Sequence, residues 1–396
     1  MSRRRPDYVI HAGKVIDGTG REPLNNAAVL IREGVIRYVG AGGGLPAHDD
    51  AIVIDASKLT VMPGLIDGDS GFSGALGTVQ ALQAYLRYGV TTIATFNGIS
   101  PGKPPAAGLR DAVEKGILRG CSRLLVGHVV NATNGHNRGR TADGPWEIRR
   151  AVRETAEAGA DFIKTAATGG FVDTADGEGV HTLSYTAEEL NALVDEAHAW
   201  GLKVNIHAHS QPGLDRAIEA GADRIMHGCF MDDAAVAKMA ERGTWYIPTL
   251  RITSRLNMAA FRAGVLDKKE ASHDVHRAGV RSAIAKGVPI ALGSHGPGPG
   301  AIWKLGESTA VELAELVECG LTPLAAIAVG TLHTARAYAI DHRVGSLEAG
   351  KQADIVCLAG DPSERIELLR DPGNIAVVFQ KGRVEHASFG FREYAE

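Results

Sequence analysis

The sequence is short of several things. Cysteine occurs four times in 396 residues, at Cys121, Cys229, Cys319 and Cys357, and never as Cys-x-x-Cys. That argues against a disulfide frame or a zinc knuckle and suits reduced, buried thiols in a cytoplasmic protein. No apolar run approaches the ~18 residues of a membrane span. The start, Met-Ser-Arg-Arg-Arg-Pro, is basic but no apolar core follows it, so a signal peptide is not expected. Positive charge is not in excess: 42 Lys+Arg against 46 Asp+Glu leaves −4, which argues against a general nucleic-acid binder. A Gly-x-Gly-x-x-Gly fingerprint after the first strand is missing, as are internal repeats and low-complexity tracts.

What is present is an ordinary globular composition, 44% hydrophobic and 22% charged. The length allows two or three domains at roughly 150 residues each. Glycine fills 49 positions, well above the usual ~7%, so many tight turns are expected. Histidine occurs 15 times, enough to build a metal site if several converge.

Both ends read as β structure. Short β-rich runs at 8–11, 28–31, 35–39 and 51–54 are separated by Gly, Asn and Asp turns, with Glu33-Gly34 as a hairpin turn. Runs at 355–358, 376–380 and 383–385 repeat the style, with Lys381-Gly382 as a turn. The middle alternates. Candidate strands at 64–67, 91–95, 123–126, 162–166, 203–207, 224–226, 245–249 and 289–292 are separated by amphipathic helical stretches. The clearest helix spans 187–200, with Thr186 as N-cap, Glu189 completing a capping box and Gly201 ending it. Others cover 308–318 and start at Thr322-Pro323. Eight strands alternating with helices match a distorted (β/α)8 barrel. The expected organisation is therefore a barrel over 63–343 and a small β-sandwich from 1–62 and 344–396.

Catalytic groups of such a barrel sit at the carboxyl ends of its strands. Those ends carry Asp67 and Asp69 on strand one, Lys164 on strand four, His207 and His209 on strand five, His227 on strand six and His295 on strand eight. His136 lies in the loop after strand three. Asp67 is expected to close the strand-one turn.

These positions bring a resemblance into view. The chain resembles the amidohydrolase superfamily, in its imidazolonepropionase-like and Xaa-Pro dipeptidase-like branch. The resemblance runs nearly end to end. It rests on Asp17-Gly18-Thr19-Gly20, Pro63-Gly64-Leu65-Ile66-Asp67, Gly159-Ala160-Asp161-Phe162-Ile163-Lys164 with Ala167-Thr168-Gly169-Gly170, His207 with His227, and the run from Val344 to Asp354. It implies a hydrolytic site with two divalent metals. Their ligands would be a His-x-His pair after Pro-Gly-Leu-Ile-Asp, a carboxylated Lys, one His each on strands five and six, and an Asp on strand eight. Lys164, His207 and His227 match this pattern. Asp69 and Gly71 stand where the His-x-His pair is expected, and His295 stands where Asp is expected.

Gly71 offers no ligand at all. His295 can act as a base near neutral pH but cannot supply negative charge. Strands one and eight are neighbours in a closed barrel, so Asp69 and His295 are expected either to pair or to turn toward one remaining metal. A mononuclear set of His207, His227, His295 and Asp69 suits zinc. A metal-free pocket is the competing reading, with Asp69, His295 and Lys164 as acid-base groups and Lys164 either an amine or carboxylated. His136, His209, Tyr185 and Arg140 are the candidate substrate contacts, with Arg138 as an alternative to Arg140. Three functions stay open: hydrolysis of an amide-like C–N bond with one metal at most, a metal-independent lyase, decarboxylase, isomerase or cyclase, and a ligand-binding pseudoenzyme. A small-molecule substrate and a homo-oligomer are expected, without nucleic acid or membrane.

Overall fold

The computed structural model describes residues 6–71, 75–96, 106–136, 139–171, 179–255, 263–296 and 304–394. The chain begins with β1 (Tyr8–Val15), β2 (Leu24–Arg32), β3 (Val35–Ala41) and β4 (Ile52–Pro63). Glu33 and Gly34 close β2 onto β3 at φ 52° and 83°, with Arg32 opposite Val35. Two positive φ values are what a two-residue hairpin turn requires, and they match the twist of the strands.

The barrel strands follow: β5 (Leu65–Ser70), β6 (Val90–Thr95), β7 (Arg123–Asn131), the short β8 (Arg140–Thr141) beside it, β9 (Phe162–Ala166), β10 (Lys203–Ala208), β11 (Arg224–His227) and β12 (Trp245–Ile247). They pair in parallel in the order β5-β6-β7-β9-β10-β11-β12. The strand expected at 289–292 is reduced to a bridge between Ile290 and Tyr246. Its backbone nevertheless closes the ring. Tyr246 N–H donates to Pro289 O at 2.8 Å, Ala291 N–H to Tyr246 O at 2.9 Å and Gly68 N–H to Leu292 O at 2.9 Å. The sequence thus reaches from β12 back to β5, which makes strands one and eight neighbours as closure demands.

Helices α1 (Ala75–Arg87), α2 (Ala106–Glu114), α3 (Pro145–Glu157), α4 (Ala187–Ala199), α5 (Gly213–Glu219), α6 (Asp233–Arg242), α7 (Ala263–Ala285), α8 (Glu307–Glu318), α9 (Pro323–Ala328) and α10 (Thr334–Ala337) run between and after the strands. Helix α4 starts at the expected capping box, with Thr186 and Glu189 exchanging backbone bonds. Its buried Leu190, Leu193, Val194 and Ala197 share one face and belong to the core between barrel and helices. Inside the barrel, alternation along β9 turns Phe162 and Lys164 inward. Phe162 meets Tyr338 edge-on at 5.4 Å. Tyr338 in turn donates to Gly68 O and accepts from Asn205 Nδ2 at 2.9 Å, plugging the barrel below the site.

The chain ends in β13 (Ile355–Ala359), β14 (Ile375–Gln380) and β15 (Arg383–Ala387). They join the first four strands in the order β15-β14-β13-β4-β1-β2-β3. The two ends thus form the expected β domain, and its hydrogen bonding is continuous through one sheet. The sheet curls, so that Phe379 of β14 packs edge-on against Tyr8 of β1 at 5.2 Å. The sheet is fastened to the barrel by buried Arg123, which donates to Asp354 at 2.6 Å and Gln352 at 2.7 Å. Among the described residues, no helix is long and apolar enough to cross a membrane.

Candidate active site

The site lies at the carboxyl ends of the barrel strands. Asp69 sits within β5, where the sequence suggested a turn, and is buried. Asp67 on the same strand closes the barrel. It accepts from Ser294 N–H at 2.9 Å, Ser294 Oγ at 2.6 Å, Thr309 Oγ1 at 2.7 Å and the Asp69 N–H at 3.2 Å. Asp67 does more than the expected closing of the strand-one turn: it pins the segment that carries His295 to the strand that carries Asp69.

Three strand ends finish in the left-handed region: His227 at φ 75°, Thr249 at 54° and His295 at 59°. Non-glycine residues are uncommon there, and such strain gathers at functional sites because the surrounding structure must hold it. Asp69, His227 and His295 each offer one ligand atom, and these atoms all lie within 4.8 Å of one another.

The hydrogen bonds fix which nitrogen of His227 is free. Thr249 Oγ1 has one proton and gives it to Pro248 O at 2.6 Å. It must then accept from His227 Nδ1–H, 2.6 Å away. The lone pair of the neutral ring is left on Nε2, which is buried and has no hydrogen-bond partner among the described residues. Asp69 Oδ2 is likewise buried and unpartnered. Burial, reinforced by the neighbouring histidines, holds the His227 pKa well below its ordinary value. A neutral imidazole with a free lone pair beside a free carboxylate oxygen is an orphaned donor set that fits a divalent cation.

Lys164 lies next to the other Asp69 oxygen, with Nζ 3.5 Å from Oδ1. It also touches Met226 Sδ and sits 4.8 Å over the Phe96 ring. Burial drives both partners toward neutrality, raising the Asp69 pKa to about 6 and lowering that of Lys164, while their mutual attraction opposes it. Phe96 does a second thing. A Cβ on Gly71 would lie 3.0 Å from its ring. The position that the resemblance assigns to a second histidine is crowded by the ring of Phe96, the residue after β6.

His207 departs from the expected mononuclear set. Its Nε2–H donates to Gly169 O at 3.2 Å, and the ring stacks on His136 at 4.0 Å. It adjoins His227, with ring centroids 4.5 Å apart, but does not fall in the group of three. Gly170 makes room for His136, because a Cβ there would lie 2.2 Å from the imidazole. His209 is buried beside His207 and His227, and its Nδ1 is 3.1 Å from Cys229 Sγ. Both His136 and His209 thus join the cluster.

Two candidates are placed elsewhere. Tyr185 is buried in the core between barrel and helices and donates to Ala142 O at 3.1 Å. Arg140 on β8 is engaged by Glu154 at 2.9 Å and Glu147 at 3.3 Å. Arg138 lies outside the described residues. Sequence reading missed Phe96, Thr249 and Arg251. All stand just beyond strand ends, and none is a side chain that usually ligates a cation, so ligand signals in the sequence do not single them out.

A closed parallel barrel with its ionisable cluster at the carboxyl face has the layout in which barrel enzymes keep their active sites. The chain belongs to the amidohydrolase family, whose model matches residues 59–384. It is 29% identical to the ochratoxinase of Aspergillus niger over 424 residues, covering 95% of this chain and 86% of that protein. The crystal structure of that ochratoxinase superposes with a TM-score of 0.84 at 25% identity, covering 98% of this chain and 97% of that one. A crystal structure of a Xaa-Pro dipeptidase with bound methionine in the active site gives 0.85 at 29%, covering 96% and 100%. A 5-methylthioadenosine/S-adenosylhomocysteine deaminase of Symbiobacterium thermophilum is 26% identical over 431 residues, covering 95% of this chain and 92% of that protein.

Proposed function

We propose that the protein hydrolyses an amide-like C–N bond of a small molecule and uses one divalent cation, zinc, held by Asp69, His227 and His295. The observation that carries this reading is that ligand atoms of Asp69, His227 and His295 lie within 4.8 Å of one another, while Asp69 Oδ2 and His227 Nε2 are buried without a partner among the described residues. Family membership and the dipeptidase, ochratoxinase and deaminase relatives support C–N bond hydrolysis. Three protein ligands with an open fourth position are the pattern of catalytic zinc sites. When bound there, the cation would polarise a carbonyl and lower the pKa of water to around 7.

The chain's own residues divide the remaining work. Thr249 orients His227 and fixes its tautomer. Lys164, 3.5 Å from Asp69 Oδ1, opposes the burial that raises the Asp69 pKa and aims its carboxyl group. His136, stacked at 4.0 Å on the buried His207, presents its imidazole to a planar substrate group. Gly71 supplies no side-chain donor at the position crowded by Phe96, which favours one metal over two.

Elemental analysis tests the reading. Protein purified without chelator should carry close to one equivalent of zinc, and Asp69→Asn, His227→Ala and His295→Ala should each reduce it. Wild-type protein that takes up neither Zn2+ nor Mn2+ sinks it. A second reading rests on the Lys164–Asp69 contact at 3.5 Å: a metal-independent lyase, decarboxylase, isomerase or cyclase using Asp69, Lys164 and His295 for proton transfer. Turnover that survives in chelated protein and is lost in Asp69→Asn would favour it.

A further inference from the structure

We propose that Arg251 is a positioning residue for His295, gripping the backbone on both sides of it; this rests on the reading of His295 as a site residue. Arg251 follows β12 and is 1% exposed. Its Nε donates to Ser294 O at 2.8 Å and its Nη2 donates to Gly296 O. Those two carbonyls belong to the residues immediately before and after His295. The guanidinium thus spans the bend in which His295 stands at φ 59° and Gly296 at φ 63°.

The bend needs a clamp. A non-glycine residue in the left-handed region costs about 1–2 kcal/mol and relaxes unless its surroundings determine it. Asp67 fixes Ser294 from the β5 side. Arg251 fixes Ser294 and Gly296 from the β12 side. The arginine is itself anchored, because the buried Glu312 carboxyl oxygens accept from the N–H groups of Leu250 at 2.7 Å and Arg251 at 2.9 Å. Relaxation of the bend would swing the His295 ring away from Asp69 and His227. The planar fork suits two carbonyls at once, whereas a lysine ammonium in its place reaches one.

A purely structural arginine would stabilise the fold without acting on one ring. The test therefore reads the ring. In metal-free protein labelled with 13C in the histidine rings, the His295 signal is assigned by its loss in His295→Gln. Arg251→Met, shown to be folded by circular dichroism, should shift or broaden that signal and leave those of His48 and His198 in place. Arg251→Lys should give a smaller change in the same direction, and it serves as the readout where Arg251→Met does not fold. An unmoved His295 signal in a folded variant overturns the proposal. In a second arm, Co2+ should bind about 10-fold more weakly to Arg251→Lys than to wild type, as is usual when the support of a ligand is lost. Wild-type protein that binds no Co2+ removes the metal reading and leaves the ring signal to decide the clamp.

Discussion

The ring of Phe96 stands 3.0 Å from the place that a Cβ on Gly71 would occupy. Glycine at 71 and phenylalanine at 96 are therefore one feature: the side chain missing just after β5 is replaced by a ring just after β6. Restoring a histidine by Gly71→His should overpack this corner and cost about 1–3 kcal/mol. Adding Phe96→Ala should recover part of the loss. Urea denaturation of the two variants measures this. Gly71→His with wild-type stability would mean that the ring yields freely and does not close the position.

Thr249→Val keeps the shape of the side chain and removes the acceptor of His227 Nδ1–H, 2.6 Å away. The imidazole then loses its orientation and its enforced tautomer. Zinc affinity should fall about 10- to 100-fold, the usual consequence of losing a partner of a metal-bound histidine. Titration against a chelating indicator reads the change. Unaltered affinity would show that Thr249 does not support His227 as a ligand.

Much of this architecture is legible in the sequence, for reasons that differ by element. The parallel strands announce themselves as short apolar runs between helices, and the Thr186–Glu189 capping box fixes the start of α4. Proximity of Asp69 and His295 follows from closure of the barrel. The eighth strand is legible as an apolar run but survives as a bridge at Ile290, because hydrogen bonds at three backbone positions suffice to close the ring. The ligand grouping is harder. His207 matches its motif position, yet Gly169 takes its Nε2–H, and no spacing rule reveals a hydrogen bond to a backbone carbonyl. Phe96 and Thr249 bear on ligands without being ligands, so only their contacts reveal them. Tyr185 stands before a helix whose buried face draws it into the core, where packing decides its place.

Lys164 and Asp69 form a buried pair at 3.5 Å, with the π face of Phe96 4.8 Å from the ammonium. A carboxylate and an aromatic face both favour a cation at Nζ. A carbamate there would set a second anion against Asp69. Lys164 should accordingly remain an amine, and 13C-bicarbonate should give no carbamate signal that disappears in a Lys164 variant. Lys164→Met should destabilise the fold by about 3–5 kcal/mol, because it strands a buried charge. Asp69→Asn with Lys164→Met should cost less than the sum of the single changes. Strict additivity would deny the pair.

Glu312 supplies a pH dependence that can be isolated. Burial raises its pKa from an ordinary 4.5 to about 8, against the lowering effect of the Arg251 and Leu250 N–H groups. Between those two values the folded protein holds a proton that the unfolded chain has released. Stability from this group is therefore complete below the unfolded value and is lost as pH rises through the folded one. Glu312→Gln keeps an oxygen acceptor for the backbone and does not ionise. The melting temperature of Glu312→Gln relative to wild type should thus increase steadily from about pH 5 to about pH 8.5 and level off above it. Taking the difference cancels the other titrating groups, including the histidine cluster, whose burial-lowered pKa values give the opposite slope. A difference that stays constant across that range would mean that Glu312 is ionised in the folded protein throughout, with its two backbone N–H bonds outweighing the cost of burial.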